Sequence, residues 1–138
     1  MSIVIDASVT MAWCFEDEAT PAADDVLDRL CNDEATVPPL WQLEVANVLL
    51  VAERRGRISE AQASRFVGLL DQLPIRIDVD VEAFDFAGVL GVGRRHGLSA
   101  YDSSYLLLAE RLGAPLATLD AALVAAGRAA GVPVLTDD

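Results

Sequence analysis

The chain opens with Ile3-Val-Ile-Asp-Ala-Ser8, a stretch in which an acidic residue follows a short run of β-branched side chains. The run from Ile3 predicts a strand, because β-branched residues favour extended backbone and short apolar runs are typical of buried strands. A charged side chain at the end of a buried strand is costly unless it has a partner or a task. Asp6 is therefore the first candidate functional residue.

The rest of the chain alternates strand-like and helical segments that single proline and glycine residues separate. Further strands are predicted at residues 36–41, 75–79, 116–119 and 132–135. Helices are predicted at about residues 21–31, 43–55, 59–73, 82–95, 100–112 and 121–130, and the residues between Asp6 and Pro21 are interpreted as a turn. Because this alternation requires crossover connections, the predicted class is α/β, a three-layer α/β/α sandwich with a mostly parallel central sheet.

Length and composition predict one compact domain over residues 1–138, with 53% apolar residues. No apolar run reaches the roughly 18 residues that a membrane span needs, and no basic leader precedes the first strand. We therefore expect a cytoplasmic protein without membrane attachment. Cys14 and Cys31 lack C-x-x-C spacing and are expected to be reduced and buried.

The charged residues exclude several classes of enzyme. Ten basic residues, all of them arginine, stand against 22 acidic residues and leave a net charge of −12. Without lysine, a Walker phosphate loop and a Schiff-base enzyme are excluded, and the single histidine, His96, disfavours a histidine-rich zinc site or a Ser-His-Asp triad. So acidic a surface repels nucleic acid, whose binding would need local arginine patches or bound cations.

Four acidic residues fall where a parallel sheet places its ligand site, at the carboxyl ends of the strands. Asp6 and Asp120 end predicted strands, while Glu44 and Asp102 lie in the first turns of predicted helices. Clustered carboxylates raise one another's pKa unless a cation neutralises them, and an all-oxygen site suits Mg²⁺ or Mn²⁺. Such an ion activates water and stabilises charge on a phosphodiester.

Three of these acids also have a purely structural explanation. Asp102 follows Ser99 at capping-box spacing, and the helix dipole favours an acid at Glu44. Asp120 is well placed to cap the last helix. These separate explanations do not account for four acids at one edge of the sheet.

Two further groups of residues have alternative interpretations. Arg54 and Arg55 end the helix predicted at 43–55, where they either complement the helix dipole or contact RNA phosphates. Aromatic residues either pack in the core or stack on bases, and they include Trp13, Phe15, Trp41 and Tyr105.

Taken together, these residues resemble the PIN-domain ribonucleases and, among them, the VapC toxins of VapBC toxin–antitoxin pairs. The resemblance is carried by Val4-Ile-Asp-Ala-Ser8, Pro39-Leu-Trp-Gln-Leu-Glu-Val-Ala-Asn-Val-Leu49, Tyr101-Asp-Ser-Ser-Tyr105 and Leu116-Ala-Thr-Leu-Asp120. It implies a PIN-like fold over the whole chain. It also implies that the chain has an acidic quartet that binds Mg²⁺ or Mn²⁺ for RNA cleavage, namely Asp6, Glu44, Asp102 and Asp120.

The resemblance has implications beyond the acids. Ser8 and Thr118 match polar positions that accompany the quartet, and they are assigned to substrate binding with Arg54 and Arg55. The resemblance also implies a homodimer and a small VapB-like antitoxin that blocks the acidic cleft with an inserted arginine.

The favoured function is thus a Mg²⁺- or Mn²⁺-dependent endoribonuclease that acts as the toxin of such a pair. The alternative is a non-catalytic α/β module that binds a protein partner, which the net charge of −12 favours. A phosphohydrolase or phospho-acceptor built on Asp6 is disfavoured, because such sites usually use a lysine and this chain has none.

Overall fold

A parallel sheet of four strands forms the centre of the structure, a computed structural model that describes residues 1–80 and 85–136. The strands are β1 (Ser2–Ile5), β2 (Glu34–Val37), β3 (Ile75–Ile77) and β4 (Leu116–Ala117). Their order across the sheet is β3-β2-β1-β4, and every neighbouring pair is parallel. The carboxyl ends of all four strands therefore point to one edge of the sheet.

Helices connect these strands. The described residues form a 3-10 helix (Glu16–Glu18) and seven α-helices: α1 (Ala7–Cys14), α2 (Pro21–Arg29), α3 (Leu40–Arg54), α4 (Glu60–Asp71), α5 (Phe86–His96), α6 (Ala100–Leu112) and α7 (Ala121–Ala129). Because parallel neighbours need crossover connections, the predicted α/β class is confirmed. None of the helices in the described ranges is long and apolar enough to span a bilayer.

Local capping signals set several of the helix ends as the sequence predicts. Ser59 and Gln62 form a reciprocal capping box at the start of α4, and the Ser99 hydroxyl accepts a hydrogen bond at the start of α6. Gly113 ends α6 with a positive φ of 61°, a left-handed conformation that costs glycine little.

The central strand β1 is the middle of the hydrophobic core. Ile3, Val4 and Ile5 are all fully buried, and β1 is paired with β2 on one side and β4 on the other. A continuous apolar run is typical of a parallel strand that is covered on both faces, and each such side chain contributes about 1.5–3 kcal/mol. Asp6 therefore emerges directly from the best-packed part of the molecule.

The turn predicted between Asp6 and Pro21 is wrong, because residues Ala7–Cys14 form α1. Asp6 has extended backbone, and its side chain accepts a hydrogen bond from the N–H of Val9 at 3.2 Å, as a helix N-cap does. Four consecutive residues of α1, from Val9 to Ala12, are buried. A helix that is apolar nearly all round has no helical periodicity in its sequence, which explains the error.

Element boundaries also differ from the predictions. Helix α3 begins at Leu40 rather than at residue 43, because Pro39 already has helical backbone, and Glu44 therefore lies in the second turn. The fourth strand ends at Ala117, and Asp120 lies beyond it as the N-cap of α7. Residues 132–135 contribute a single parallel bridge, from Val134 to Leu116. The predicted start of the helix at 82–95 lies outside the described residues.

The two cysteines are free, but they are not both buried as predicted. Cys14 is half-buried at the end of α1 and Cys31 is exposed in the turn after α2. The turn places Cys31 outside the apolar face of α2, which buries Ala23 and Val26 instead.

A buried chain of hydrogen bonds fixes α3 against the end of β1. Trp41 Nε1 donates to Thr10 Oγ1 at 2.9 Å, and this hydroxyl donates to the backbone carbonyl of Asp6 at 3.0 Å. Thr10 is fully buried, and Trp41 is 6% exposed. Since the indole N–H can only donate, the donor and the acceptor of each of these hydrogen bonds are fixed. The first turn of α3, and with it the place of Glu44, is thus set relative to Asp6.

We predict that Thr10→Val lowers the free energy of unfolding by about 1–3 kcal/mol, because it leaves the buried Trp41 N–H without an acceptor. Urea denaturation measures the loss. The same substitution in a Trp41→Phe background, which has no indole donor, should cost less. An equal loss in both backgrounds would show that the indole hydrogen bond is not its cause.

Candidate active site

The structure gathers the four predicted acids around one site at the carboxyl edge of the sheet, which we call the acidic cleft (Asp6, Glu44, Asp102 and Asp120). Asp6 follows β1 and Asp120 follows the neighbouring strand β4, while Asp102 lies in the first turn of α6. Burial is the main cause of the raised pKa of both Asp6 and Glu44, and the charge of Asp102 adds to the rise, so the acids are electrostatically coupled. Four separate chain segments therefore contribute carboxylates to the same cleft.

Asp6 is the most deeply buried acid, with 4% of its surface exposed. Its Oδ1 accepts hydrogen bonds from Ser8 Oγ at 2.6 Å and from the Val9 N–H at 3.2 Å, and its Oδ2 accepts one from Thr118 Oγ1 at 2.5 Å. These donors favour the charged form, but burial outweighs them and raises the pKa of Asp6 to about 6. A carboxyl with a pKa perturbed by burial is a candidate functional residue.

Ser8 and Thr118 connect Asp6 to the loop that follows β4. The Leu119 N–H donates to Ser8 Oγ at 2.8 Å, and the Asp120 N–H donates to Thr118 Oγ1 at 3.1 Å. Each hydroxyl thus accepts from the loop backbone and donates to the Asp6 carboxylate. Thr118 is fully buried, so its contacts are with the protein, and the substrate-binding role assigned to both residues stays a prediction.

Asp120 has the capping role that its position allows, since its Oδ1 accepts a hydrogen bond from the Leu123 N–H at 3.0 Å. Behind it, the Thr118 N–H donates to Thr136 Oγ1 at 2.9 Å, and the Thr136 hydroxyl donates in turn to the Thr118 carbonyl. These bonds hold the loop that carries Asp120 between β4 and the chain end. The structural explanation and the proposed site role of Asp120 are therefore compatible.

Glu44 has a partner that the sequence analysis missed. The Tyr105 hydroxyl donates to Glu44 Oε1 at 2.5 Å, across 61 residues of sequence. Burial and the bond to Glu44 raise the pKa of Tyr105, so the phenol stays protonated and acts as the donor. The available signal was the spacing, because Tyr105 follows Asp102 by three residues and shares its helix face.

Asp102 is the acid of the cleft whose carboxylate has the fewest hydrogen bonds to the described part of the protein. Its backbone N–H donates to Ser99 Oγ at 3.1 Å, but its carboxylate accepts no hydrogen bond from the residues that the structure describes. The reciprocal half of a capping box is thus missing. Partial burial and then the charge of Asp120 raise the pKa of Asp102. Asp102 is thus electrostatically coupled to each of the other three acids.

The donor set of the acidic cleft fits a hydrated divalent ion. Within residues 1–80 and 85–136, no three acidic, histidine or cysteine side chains form a ready-made metal cage. Hydrogen bonds hold part of the carboxylate oxygens of Asp6, Glu44 and Asp120. Mg²⁺ is commonly held by one or two carboxylates and keeps several waters, so direct contact with all four acids is not required. Carboxylates that raise one another's pKa are the environment that such a cation stabilises.

Arg54 and Arg55 lie apart from this cleft. Both are exposed at the end of α3, ten and eleven residues after Glu44, which corresponds to about 15 Å along the helix axis. The structure does not bring these arginines to the acids, and their predicted contact with RNA stays a prediction.

An apolar groove of about 670 Å³ lies between α3, α4 and β3. Val45 and Leu49 form its floor from α3, and exposed Leu50 and Val67 lie at its sides. The groove shares α3 with the acidic cleft, because Glu44 precedes Val45 directly.

Comparison with known proteins matches residues 3–129 to the family model of the PIN domain. Ribonuclease VapC3 from Pyrobaculum aerophilum is 31% identical over 120 residues, which cover 87% of this chain and 90% of that protein. The crystal structure of PAE2754 from the same organism has a TM-score of 0.74 at 24% identity and covers 98% of this chain and 90% of that chain. The crystal structure of VapBC2 from Rickettsia felis, bound to a DNA fragment from its promoter, has a TM-score of 0.69 at 11% identity and covers 97% of both chains. The matched family segment contains all four acids of the cleft.

The burial of Asp6 predicts an unusual pH dependence of stability. Because the pKa of Asp6 rises from 3.8 to about 6 on folding, folding favours the protonated carboxyl. The contribution of the protonated Asp6 carboxyl to the free energy of unfolding is complete below pH 3.8. It is lost as the pH rises through 6, and the total loss is about 3 kcal/mol.

We therefore predict that Asp6→Asn is more stable than the wild type at pH 8, and that the difference disappears near pH 4. Urea denaturation in EDTA at both pH values measures it. Asp24→Asn, at an exposed first-turn acid of α2, is the matched control. A constant difference between Asp6→Asn and the wild type at both pH values would contradict the prediction.

Proposed function

The chain belongs to the PIN-domain family, and from this we propose that it is a metal-dependent endoribonuclease that cleaves RNA phosphodiesters. The observation that carries the proposal is the acidic cleft, in which four carboxylates on separate segments meet at the carboxyl edge of the sheet. The family implies use of a divalent metal ion, and we propose Mg²⁺ or Mn²⁺ because all the donors are oxygens. We further propose that residues 1–138 form one PIN-like domain.

In this mechanism Asp6, Glu44, Asp102 and Asp120 would hold the ion, directly or through water. When bound, the ion would supply activation of a water molecule and neutralisation of charge on the phosphodiester. Asp102 offers a carboxylate without competing hydrogen bonds among the described residues, while Ser8 and Thr118 fix the orientation of Asp6. Without a cation the cleft repels an RNA phosphate, so the same acids make substrate binding depend on the metal.

The proposed RNA contacts extend beyond the acids. Ser8 is half-buried beside Asp6, whereas Thr118 is buried and acts through the Asp6 carboxylate. Arg54 and Arg55 contact phosphates of an RNA strand that runs on past the cleft, since about 15 Å of helix separates them from Glu44.

We assign the enzyme to a toxin–antitoxin pair, as the toxin that a small VapB-like antitoxin inhibits. Support comes from the 31% identity to ribonuclease VapC3 and from the fold shared with VapBC2. An arginine of the antitoxin complements the carboxylates of the cleft, and an apolar helix fits the groove beside α3. The proposal includes a homodimer and a cytoplasmic location, where the RNA substrate is found.

The second candidate function is a non-catalytic module that binds a protein partner. The apolar groove and the net charge of −12 favour it. It differs from the nuclease in one measurable respect, because it requires neither metal binding nor RNA cleavage.

We predict that Asp102→Asn reduces RNA cleavage in Mn²⁺ to the level of EDTA-treated wild type, because it removes the carboxylate at the centre of the cleft. A fluorogenic RNA measures the rate in purified, partner-free protein. The fold should be unaffected, since this carboxylate accepts no hydrogen bond from the described part of the chain. Asp24→Asn is the control and should cleave as the wild type does. Cleavage by Asp102→Asn at the wild-type rate, or cleavage in EDTA, would contradict the assignment of Asp102 to a metal-dependent nuclease site.

We also predict that co-expression with the adjacent reading frame gives a stable complex without nuclease activity. Leu50→Glu, which places a charge in the apolar groove, should weaken that complex while leaving cleavage by the free protein intact. Size-exclusion chromatography followed by the cleavage assay tests both statements. Two proteins that purify separately would count against the antitoxin.

A further inference from the structure

A single buried hydroxyl joins the two helices that carry Glu44 and Asp102. Tyr105 lies on α6, three residues after Asp102, and its side chain is 1% exposed. Its hydroxyl donates to Glu44 Oε1 at 2.5 Å, and Glu44 belongs to α3. The bond therefore links α6, which carries Asp102, to α3, which carries Glu44.

We propose that Tyr105 is a positioning residue that holds the Glu44 carboxylate in the orientation in which it binds the divalent ion. The inference rests on the proposed function, since it concerns the same metal site. It adds a residue that touches neither the metal nor the RNA and acts only through Glu44.

The number of acceptor sites on a carboxylate makes this arrangement possible. Each oxygen has two acceptor positions, so a donor on Oε1 leaves Oε2 free for a ligand. The Tyr105 bond is the only hydrogen bond to the Glu44 side chain among the described residues. Oε2 is thus available to the cleft while Oε1 is anchored to the core.

The anchor matters because Glu44 is otherwise free to move. Glu44 is only half-buried, and a glutamate side chain has more rotamers than most, which it loses when it binds an ion. A bond to a rigid, buried ring removes much of that freedom before the ion arrives. Burial raises the pKa of Glu44 and so disfavours its ionised form, the Tyr105 hydroxyl opposes this effect, and the charge of Asp102 adds to the rise.

The position of Tyr105 on α6 gives the anchor a second consequence. Residues three apart on a helix lie on the same face, so Tyr105 and Asp102 move together. The Glu44 carboxylate, although it belongs to α3, is thereby also tied to the helix that carries Asp102. An outer hydrogen bond of this kind typically changes metal affinity by 10–100-fold.

A tyrosine that served only to fill the core would have other properties. Tyr105→Phe keeps the buried ring and removes only the donor. A packing role predicts a change in stability at most, whereas a positioning role predicts weaker metal binding in a protein that remains folded.

The test is calorimetric titration of the full chain with Mn²⁺, beside thermal unfolding in EDTA to confirm folding. We expect Tyr105→Phe to raise the Kd for Mn²⁺ by about 10–100-fold. Tyr101→Phe is the matched control, because Tyr101 lies on the same helix, is 65% exposed and makes no side-chain hydrogen bond among the described residues. Its Kd should equal that of the wild type. An unchanged Kd in Tyr105→Phe overturns the inference.

A double-mutant cycle tests whether Tyr105 acts through Glu44. In a Glu44→Gln background, Tyr105→Phe should add little to the loss of affinity, whereas a full additional loss overturns the inference. If Tyr105→Phe fails to fold, Glu44→Asp takes its place, since it keeps the ring and withdraws the carboxylate from the hydroxyl. A wild-type Kd for that variant overturns the inference too. Absence of Mn²⁺ binding by the wild type contradicts the proposed function itself, and the inference with it.

Discussion

The buried carboxylate of Asp6 is the constraint on which the rest of the site depends. This carboxylate caps α1 and accepts hydrogen bonds from the hydroxyls of Ser8 and Thr118. The backbone carbonyl of Asp6 accepts a further hydrogen bond, from the hydroxyl of Thr10. The central strand supplies the rigidity for this arrangement, because its three apolar residues are fully buried. Burial also makes the charged form of Asp6 unfavourable, as its raised pKa of about 6 shows. A buried carboxyl at the end of the central strand is therefore a cost to stability, as expected for the site role that we propose for Asp6.

The electrostatics of the cleft follow from how the four acids divide between structural and chemical tasks. Asp120 uses one oxygen to cap α7, and Glu44 uses one to accept from Tyr105. Asp102 has no such bond in the described part of the chain, and its charge acts on Asp6 and Glu44. In a protein of net charge −12, this cleft adds to a general repulsion of RNA. In the function that we propose, charge alone would therefore couple cation binding to substrate binding.

Much of the fold was predictable because its signals are local. Apolar runs marked the strands, Ser59 and Ser99 marked helix starts, and the rule for strand ends brought the acids to one edge. The α/β class and the family are confirmed. Helix α1 was missed because its sequence has no periodicity. Cys31 was wrongly predicted to be buried, because its exposure depends on the course of the turn after α2, and composition does not reveal that course.

The contacts between distant segments were beyond reach for another reason. Tyr105 and Glu44 are 61 residues apart, and Trp41 and Thr10 are 31 apart, so no local pattern couples them. Arg54 was assigned to the substrate by its charge, although the predicted helix already placed it at the opposite end from Glu44, as the structure does. The metal-binding and catalytic roles of the four acids remain predictions.

The hydroxyls of Ser8 and Thr118 have a consequence for how such a chain can change over generations. Strand β4 has only two residues, so side chains rather than a backbone ladder hold the loop after it against β1. The positions that orient the site are thus the same positions that complete this side of the sheet. A descendant that lost its chemistry would be free to replace Asp102 and to exchange the buried charge of Asp6 for a neutral acceptor. Ser8 and Thr118 would still be needed, because their hydroxyls accept hydrogen bonds from the backbone of the loop. Selection for a stable fold alone would therefore preserve these two hydroxyls long after the activity had gone.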